Sequence, residues 1–173
     1  MATRYVLAVS VPDEIHALLD ETYLKVSGKH LTIANAHITI LPPFFLANID
    51  ESTLTQKLAS LHVQPFTAHN EMFGVFHQQS DIFYVSVEPF DAFSSIYEQA
   101  LSVLEGVITF DLEPYADKNL PPLLPHISLD YQAENTKETV EKLNAQHLLL
   151  TFSVDSLVIL KEVDGAWNPV TTI

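Results

Sequence analysis

The stretch His37-Ile38-Thr39-Ile40 recurs almost unchanged as His126-Ile127-Ser128-Leu129. Each copy reads histidine, apolar residue, hydroxyl residue, apolar residue. Because side chains alternate between the two faces of an extended strand, the histidine and the hydroxyl share one face and the apolar residues share the other. We therefore predict two strands that are anchored in the core by their apolar faces. If these strands lie side by side, two imidazoles and two hydroxyls meet in one small space.

The two motif strands occupy equivalent places in an apparent duplication. In each half of the chain, hydrophobic patterning predicts a strand, a helix, the motif strand, a helix and a strand. In the first half these elements are predicted at residues 5–11, 12–28, 34–41, 50–61 and 66–76. In the second half they are predicted at residues 82–87, 93–104, 126–131, 135–146 and 148–163, the last bent or broken near Asp155. Residues 171–173 are expected to form a final edge strand.

Prolines mark two further features of this order. Pro42 and Pro43 are expected to end the first motif strand, because proline lacks the backbone N–H that a central strand needs. The proline-rich segment 110–125 predicts a long irregular loop over one face, and loops of that length are often functional. No linker-like composition separates the halves. We therefore expect one domain, residues 1–173, with two lobes at roughly 1–80 and 81–173.

Composition restricts the class of protein. The 173 residues include no cysteine, which excludes disulfides and thiolate metal sites. The formal net charge is −14, from 22 acidic and 8 scattered basic residues. Because long nucleic acid is bound mainly through Lys and Arg at the phosphates, extended duplex binding is not expected. No apolar stretch approaches the roughly 20 residues of a membrane span, so we expect a soluble, cytoplasmic protein. We also expect it to be a monomer.

The paired motif carries the groups that phosphodiester chemistry needs. One group must take a proton, another must give a proton to the departing oxygen, and donors must hold the non-bridging oxygens. Histidine serves both proton roles near neutrality, because its usual pKa is about 6.5. A single His-x-Thr is a weak signal, but two copies in equivalent positions favour function. The chain has no His-Glu-x-x-His and no glycine-rich phosphate loop, so we expect neither a metal nor another cofactor.

The motif strands resemble a known family. The stretches 37–44 (HITILPPF) and 125–129 (PHISL) are similar to the two signature strands of the two-histidine (2H) phosphoesterase superfamily. That group includes bacterial 2′-5′ RNA ligase-like proteins and cyclic phosphodiesterases. The resemblance spans nearly the whole chain, including the opening strand and the closing segment with Trp167. It implies an α+β fold of two pseudo-twofold lobes, each an antiparallel sheet with flanking helices, on either side of a central cleft.

The resemblance also implies roles for four residues. His37 and His126 would be the acid–base pair, and Thr39 and Ser128 would hold the phosphate oxygens. The implied activity is metal-independent opening or making of phosphodiesters at a 2′ oxygen, typically 2′,3′-cyclic phosphates. Ser128 departs from the commoner threonine but keeps the hydroxyl. Asp130 and the acidic balance argue against a long RNA and favour a small cyclic nucleotide or an RNA terminus.

Two other readings remain open from the sequence. The same cleft could bind a phosphorylated small molecule or an RNA end without turning it over, although Arg or Lys would serve anion binding better than histidine. The duplication could also be structural, with buried and unreactive histidines. Six other side chains are minor candidates, five for stacking on a base and one for facing a phosphate: Phe44, Phe45, Tyr115, Tyr131, Trp167 and Lys161.

Overall fold

The described part of the chain contains nine strands and four helices. The computed structural model describes residues 3–33, 35–77, 81–113, 119–131 and 136–173. The strands are β1 (Tyr5–Ser10), β2 (His37–Leu46), β3 (Phe66–His77), β4 (Asp81–Glu88), β5 (Ile108–Phe110), β6 (His126–Tyr131), β7 (Thr151–Val154), β8 (Val158–Val163) and β9 (Ala166–Thr172). The helices are α1 (Asp13–Ser27), α2 (Glu51–Leu58), α3 (Phe90–Leu104) and α4 (Thr136–Asn144).

The strands form one curled antiparallel sheet with two matching halves. Its order is β7-β3-β4-β6-β2-β1-β8-β9, and β5 pairs with the end of β2. Between the two motif strands, β2 and β6, a single residue pair joins the halves: Ile38 lies opposite Ile127. Helix α1 packs against α4, and α2 packs against α3. The expected α+β fold with antiparallel sheets on either side of a cleft is therefore confirmed.

Strand pairing crosses the midpoint of the chain. Strand β3 follows α2 in the first half but pairs with β4 and β7 of the second. Strand β8 follows α4 in the second half but pairs with β1 of the first, and β9 pairs with β8. Each half therefore contributes late strands to the sheet of the other. A boundary near residue 80 divides the order of elements along the chain, but it does not divide the sheet.

The apolar faces of the motif strands lie in the core, as alternation predicts. Ile38 and Ile127 are fully buried, and Ile40 and Leu129 are only 1% exposed. Burying four such side chains contributes on the order of 6–12 kcal/mol to folding before conformational entropy is counted. The histidines and hydroxyls between them are held on the opposite face, because each strand is fixed from its buried side.

Local sequence signals account for the ends of two helices. Gly28 ends α1 in the left-handed conformation, with φ 73°, and its N–H bonds the carbonyl of Leu24. Glycine adopts this conformation without the steric cost of a Cβ, which is why it commonly follows the last helical turn. Asp50 caps α2, because its side chain accepts a hydrogen bond from the Thr53 N–H. Both boundaries agree with the sequence prediction.

The prediction that Pro42 and Pro43 end the first motif strand is wrong. Strand β2 continues to Leu46 and pairs with β5 beyond the prolines. The two prolines lie where the β1–β2 register shifts, between the pairs Leu7–Leu41 and Tyr5–Phe44. Such a bulge leaves residues outside the ladder, so the missing proline N–H groups are tolerated there.

Three other observations on the strands can be compared with the prediction. The break expected near Asp155 is confirmed, since residues 155–157 separate β7 from β8. The final strand is longer than expected, because β9 begins at Ala166 after a turn at Asp164-Gly165. The short strand β5 was not predicted. No helix in the described ranges is both long and apolar enough to cross a membrane.

Candidate active site

The four motif side chains line one cleft between the halves of the sheet. His37, Thr39, His126 and Ser128 are all half-buried and border the same cavity of about 380 Å³. A cavity of this size is at the small end of the range for ligand sites. The structure therefore brings together all four residues that the sequence singled out.

The strand register sets each hydroxyl beside the other motif's imidazole. Because Ile38 lies opposite Ile127 in an antiparallel pair, the register continued by one residue places His37 beside Ser128. In the other direction it places Thr39 beside His126. Each imidazole consequently has one hydroxyl two residues along its own strand and another across the junction of the two sheet halves.

Each histidine is anchored through Nδ1 to a backbone carbonyl two residues earlier. Nδ1 of His37 lies 2.9 Å from the carbonyl oxygen of Asn35. Nδ1 of His126 lies 2.6 Å from the carbonyl oxygen of Leu124. Because a carbonyl oxygen only accepts hydrogen bonds, Nδ1 carries the proton and donates in both rings. Nε2 is therefore the nitrogen that each neutral imidazole can use to accept a proton.

Burial lowers the pKa of both histidines. For His37, removal from water opposes the charged form, and the hydrogen bond to the Asn35 carbonyl only partly offsets it. For His126, burial again lowers the pKa most, the Leu124 carbonyl raises it, and the charge of His37 lowers it further. A proton on either ring disfavours a proton on the other. The state with one protonated ring and one neutral ring is therefore favoured over the doubly protonated state.

The phenol of Tyr131 lies at the edge of the cleft, beside the Ser128 hydroxyl. Tyr131 is 49% exposed and borders the cleft at the end of β6. Burial raises the pKa of its phenol, and the nearby Ser128 hydroxyl lowers it by hydrogen bonding. Tyr131 therefore remains a neutral phenol at neutral pH, able to donate a hydrogen bond or to present its ring.

The walls of the cleft are apolar and aromatic. Phe76 and Ile82 border the cleft beside β6, whereas Val6 and Trp167 border it on the β1 side. Residues 121–124, from the predicted loop, form a further wall. Among the described residues, those that line the cleft include no Lys, Arg, Asp or Glu. Apart from the histidines, the cleft offers a ligand hydroxyls and apolar surface.

Of the six minor candidates, two border the cleft: Tyr131 and Trp167. Phe44 is fully buried in the core, and Phe45 borders a separate surface pocket beside Arg4. The ammonium of Lys161 is 3.0 Å from a carboxylate oxygen of Glu51 on α2, so it is paired away from the cleft. Tyr115 lies outside the described residues.

Asp130 does not line the cleft, so it does not carry the argument against a long RNA. Asp130 is 5% exposed and accepts hydrogen bonds from the hydroxyls of Tyr23, at 2.6 Å, and Thr32, at 2.7 Å. The register between β4 and β6 shifts after Ser128, so that Asp130 pairs with the buried Phe83. This bulge turns Asp130 toward α1, and its carboxylate does not line the cleft.

The sequence did not predict the aromatic wall of His126, which consists of the Phe76 and Tyr84 rings that contact its imidazole. Phe76 and Ile82 pair across the hairpin of β3 and β4, and both strands were predicted. The register that brings them to His126 comes from the pairing of β4 with β6, at Ser86–His126. No local signal in the sequence indicates that pairing. No group of three or more His, Asp or Glu side chains in the described ranges could hold a metal ion.

Comparison with known proteins identifies a family and a fold. The sequence matches the family model described as the 2′-5′ RNA ligase superfamily over residues 11–166. No curated protein matches the chain. The structure is similar to TT0787 of Thermus thermophilus, at 20% identity and a TM-score of 0.65, over 98% of this chain and 96% of that one.

Two further structures show the same likeness. One is E. coli LigT complexed with 3′-AMP, at 14% identity and a TM-score of 0.63, over 100% of this chain and 98% of that one. The other is described as a phosphoesterase, at 14% identity and a TM-score of 0.64, over 99% of this chain and 97% of that one. At these identities the likeness shows the fold.

Proposed function

Because the chain belongs to the 2′-5′ RNA ligase superfamily, as its motif strands predicted, we propose that it is a metal-independent phosphoesterase with a two-histidine mechanism. Family and fold support a phosphoesterase-like or ligase-like role. The proposed substrate is a 2′,3′-cyclic phosphate or a 2′-5′ phosphodiester, in a small nucleotide or at an RNA end. One observation carries the proposal: two imidazoles, each anchored through Nδ1, share a cleft with two hydroxyls.

The proposed reaction uses both histidines at once. Nε2 of one histidine takes a proton from water as the water oxygen bonds to phosphorus. Nε2 of the other, which is protonated, gives its proton to the ribose oxygen as the bond from that oxygen to phosphorus breaks. Thr39 and Ser128 donate hydrogen bonds to the non-bridging oxygens as charge develops there. The two histidines exchange roles when the reaction runs in reverse.

The cleft suits a substrate with one phosphate and one flat base. Its apolar lining contains no Lys or Arg among the described residues, so it offers little to the successive phosphates of a long strand. Tyr131 and Trp167 supply ring faces on which a base could stack. E. coli LigT, which shares the fold, has been crystallised with 3′-AMP. Both histidines come from one chain, which supports a site that is complete in a monomer.

Replacement of either histidine tests the proposal. We expect His37→Ala or His126→Ala to lower turnover of a 2′,3′-cyclic mononucleotide by ~10³-fold or more, because each loses one proton-transfer step. His69→Ala is the matched control, since His69 is an exposed histidine on strand β3 and does not line the cleft. Full activity in either cleft variant, in protein free of contaminating nuclease, would contradict the proposal. Chromatography of the product would show whether the phosphate remains at 2′ or 3′.

The main alternative is a module that binds the same ligand without chemistry. The absence of Arg and Lys from the described lining counts against it, since cations hold phosphate better than neutral imidazoles. Calorimetric titration with the cyclic nucleotide, run beside the turnover assay, separates the two. Binding without any product across the cyclic nucleotides and 2′-5′ dinucleotides would favour the module.

A further inference from the structure

The two proposed catalytic histidines have different surroundings, although their motifs are equivalent. On β6, the ring of His126 meets Phe76 edge-on, with centroids 4.9 Å apart and planes at 76°. It meets Tyr84 in the same way, at 5.6 Å and 70°. Among the described residues His37 makes no such ring contact. The position on β1 that matches Tyr84 is Ala8, which pairs with Thr39 as Tyr84 pairs with Ser128.

Phe76 and Tyr84 form one stacked unit. Their ring centroids are 4.1 Å apart with an interplanar angle of 20°. The Tyr84 ring reaches this position by lying across Gly74, its partner on β3. A Cβ at Gly74 would come within 2.6 Å of the Tyr84 Cζ and hydroxyl. Gly74 is therefore the residue whose missing side chain lets the Tyr84 ring lie flat against Phe76.

An imidazole that is held by a single hydrogen bond can still rotate. His126 is held at Nδ1 by the Leu124 carbonyl, and rotation about that contact would still change the direction of Nε2. Contacts with two aromatic rings restrict this rotation, because edge-to-face aromatic pairs have a preferred geometry. Proton transfer depends on such direction, since a small misplacement of a reacting group sharply lowers the rate.

We propose that Gly74, Tyr84 and Phe76 act together as positioning residues that fix the direction of Nε2 in His126. Only the expected effect of these residues on turnover rests on the proposed function. The position of the His126 ring is a property of the folded protein and can be measured without a substrate.

Nuclear magnetic resonance of the histidine rings provides the main test, with His37 as the internal reference. We expect Gly74→Ala and Tyr84→Leu to shift the His126 ring signals and raise its pKa toward the usual value, because water reaches the ring. Tyr84→Phe keeps the ring and should resemble the wild type. The titratable groups that line the cleft with His126 or contact its ring, among the described residues, are His37 on β2, Tyr84 on β4, Tyr97 on α3 and Tyr131 on β6. Of these, only Tyr84 is changed.

A double variant tests whether the two residues act as one unit. If Gly74 only makes room for the Tyr84 ring, Gly74→Ala should add nothing in the Tyr84→Leu background. Turnover of the cyclic nucleotide should fall ~10- to 100-fold in Gly74→Ala, mostly in kcat, because positioning and not binding is lost.

Three results would overturn the inference. They are unchanged His126 signals in Gly74→Ala and Tyr84→Leu, equal shifts at His37 and His126, or effects of the two changes that simply add. Should Gly74→Ala fail to fold, the comparison of Tyr84→Phe with Tyr84→Leu decides alone. An inactive wild type with the expected His126 shifts would reject the proposed function and leave the positioning intact.

Discussion

His37 and His126 each present one nitrogen to the cleft and hide the other. Because both Nδ1 atoms are committed to backbone carbonyls, proton exchange at each ring is restricted to Nε2. Burial lowers both pKa values, and a charge on one ring opposes a charge on the other. The state with one protonated and one neutral ring is therefore the state that can act as acid and base together.

This arrangement predicts an acidic pH optimum. We expect a bell-shaped profile of kcat/KM for a cyclic nucleotide, with one limb for each histidine and its maximum below about pH 6.5, the usual pKa of histidine. Activity falls at higher pH because the acid loses its proton, and at lower pH because the base gains one. The substrate diester does not titrate in this range. An optimum above about pH 7.5 in a buffer-matched series would contradict the lowered pKa values.

At the scale of elements, a buried polar link joins helix α1 to motif strand β6. The Tyr23 phenol and the Thr32 hydroxyl both donate to the carboxylate of Asp130. Burial first, and the carboxylate next, raise the pKa of Tyr23, so the phenol keeps its proton and donates. A carboxylate with so little exposure depends on these donors, because water cannot replace them.

We predict that Tyr23→Phe lowers the free energy of unfolding by about 1–3 kcal/mol, because one oxygen of Asp130 loses its donor. Denaturant titration measures this change. Tyr97→Phe is a suitable control for the stability measurement, since the structure shows no side-chain hydrogen bond for that phenol among the described residues and only burial raises its pKa. It is not a control for turnover, because Tyr97 borders the cleft. Turnover by folded Tyr23→Phe should stay within about twofold of wild type. A large loss of turnover at unchanged stability would mean that Asp130 serves the cleft.

The alternation of apolar and polar residues, together with the positions of proline and glycine, predicted most of these strands and helices. Bulges account for the main errors. The apolar pattern of 37–41 and 126–131 correctly gave two strands with a shared polar face. The register shift at Pro42 and Pro43 allowed β2 to continue, and the shift after Ser128 turned Asp130 to the core side. A bulge is defined by two strands together, so neither shift can be seen in one stretch of sequence. The aromatic wall at His126 depends on the same long-range pairing.

At the scale of the whole molecule, the exchange of strands makes the two halves interdependent. Without residues 81–173, β3 loses both of its neighbours, β4 and β7. Without residues 1–80, β8 loses β1 and keeps only β9. Exposed edges and apolar faces of this kind do not fold alone. We therefore propose that residues 1–173 behave as one domain.

This proposal predicts that the fragments 1–80 and 81–173 are each unfolded or aggregated. The whole chain should unfold in a single transition with the same midpoint by far-ultraviolet circular dichroism and by fluorescence of Trp167, its one tryptophan. Dispersed amide spectra from either isolated fragment would contradict the proposal. Separate midpoints for the two probes would contradict it as well.

The exchange of strands between the halves also has a consequence for a common ancestor that consisted of one half alone. A lone copy that kept the pairing seen here, with its β3-type strand on the β1-type strand of the other half, would have needed a second copy and so would have been an intertwined homodimer. Such a dimer would bring one motif histidine from each subunit to its twofold axis. Fusion into one chain releases the copies from being identical. Thr39 and Ser128, or Ala8 and Tyr84, can then differ, and a symmetric pair of histidines can acquire unequal neighbours.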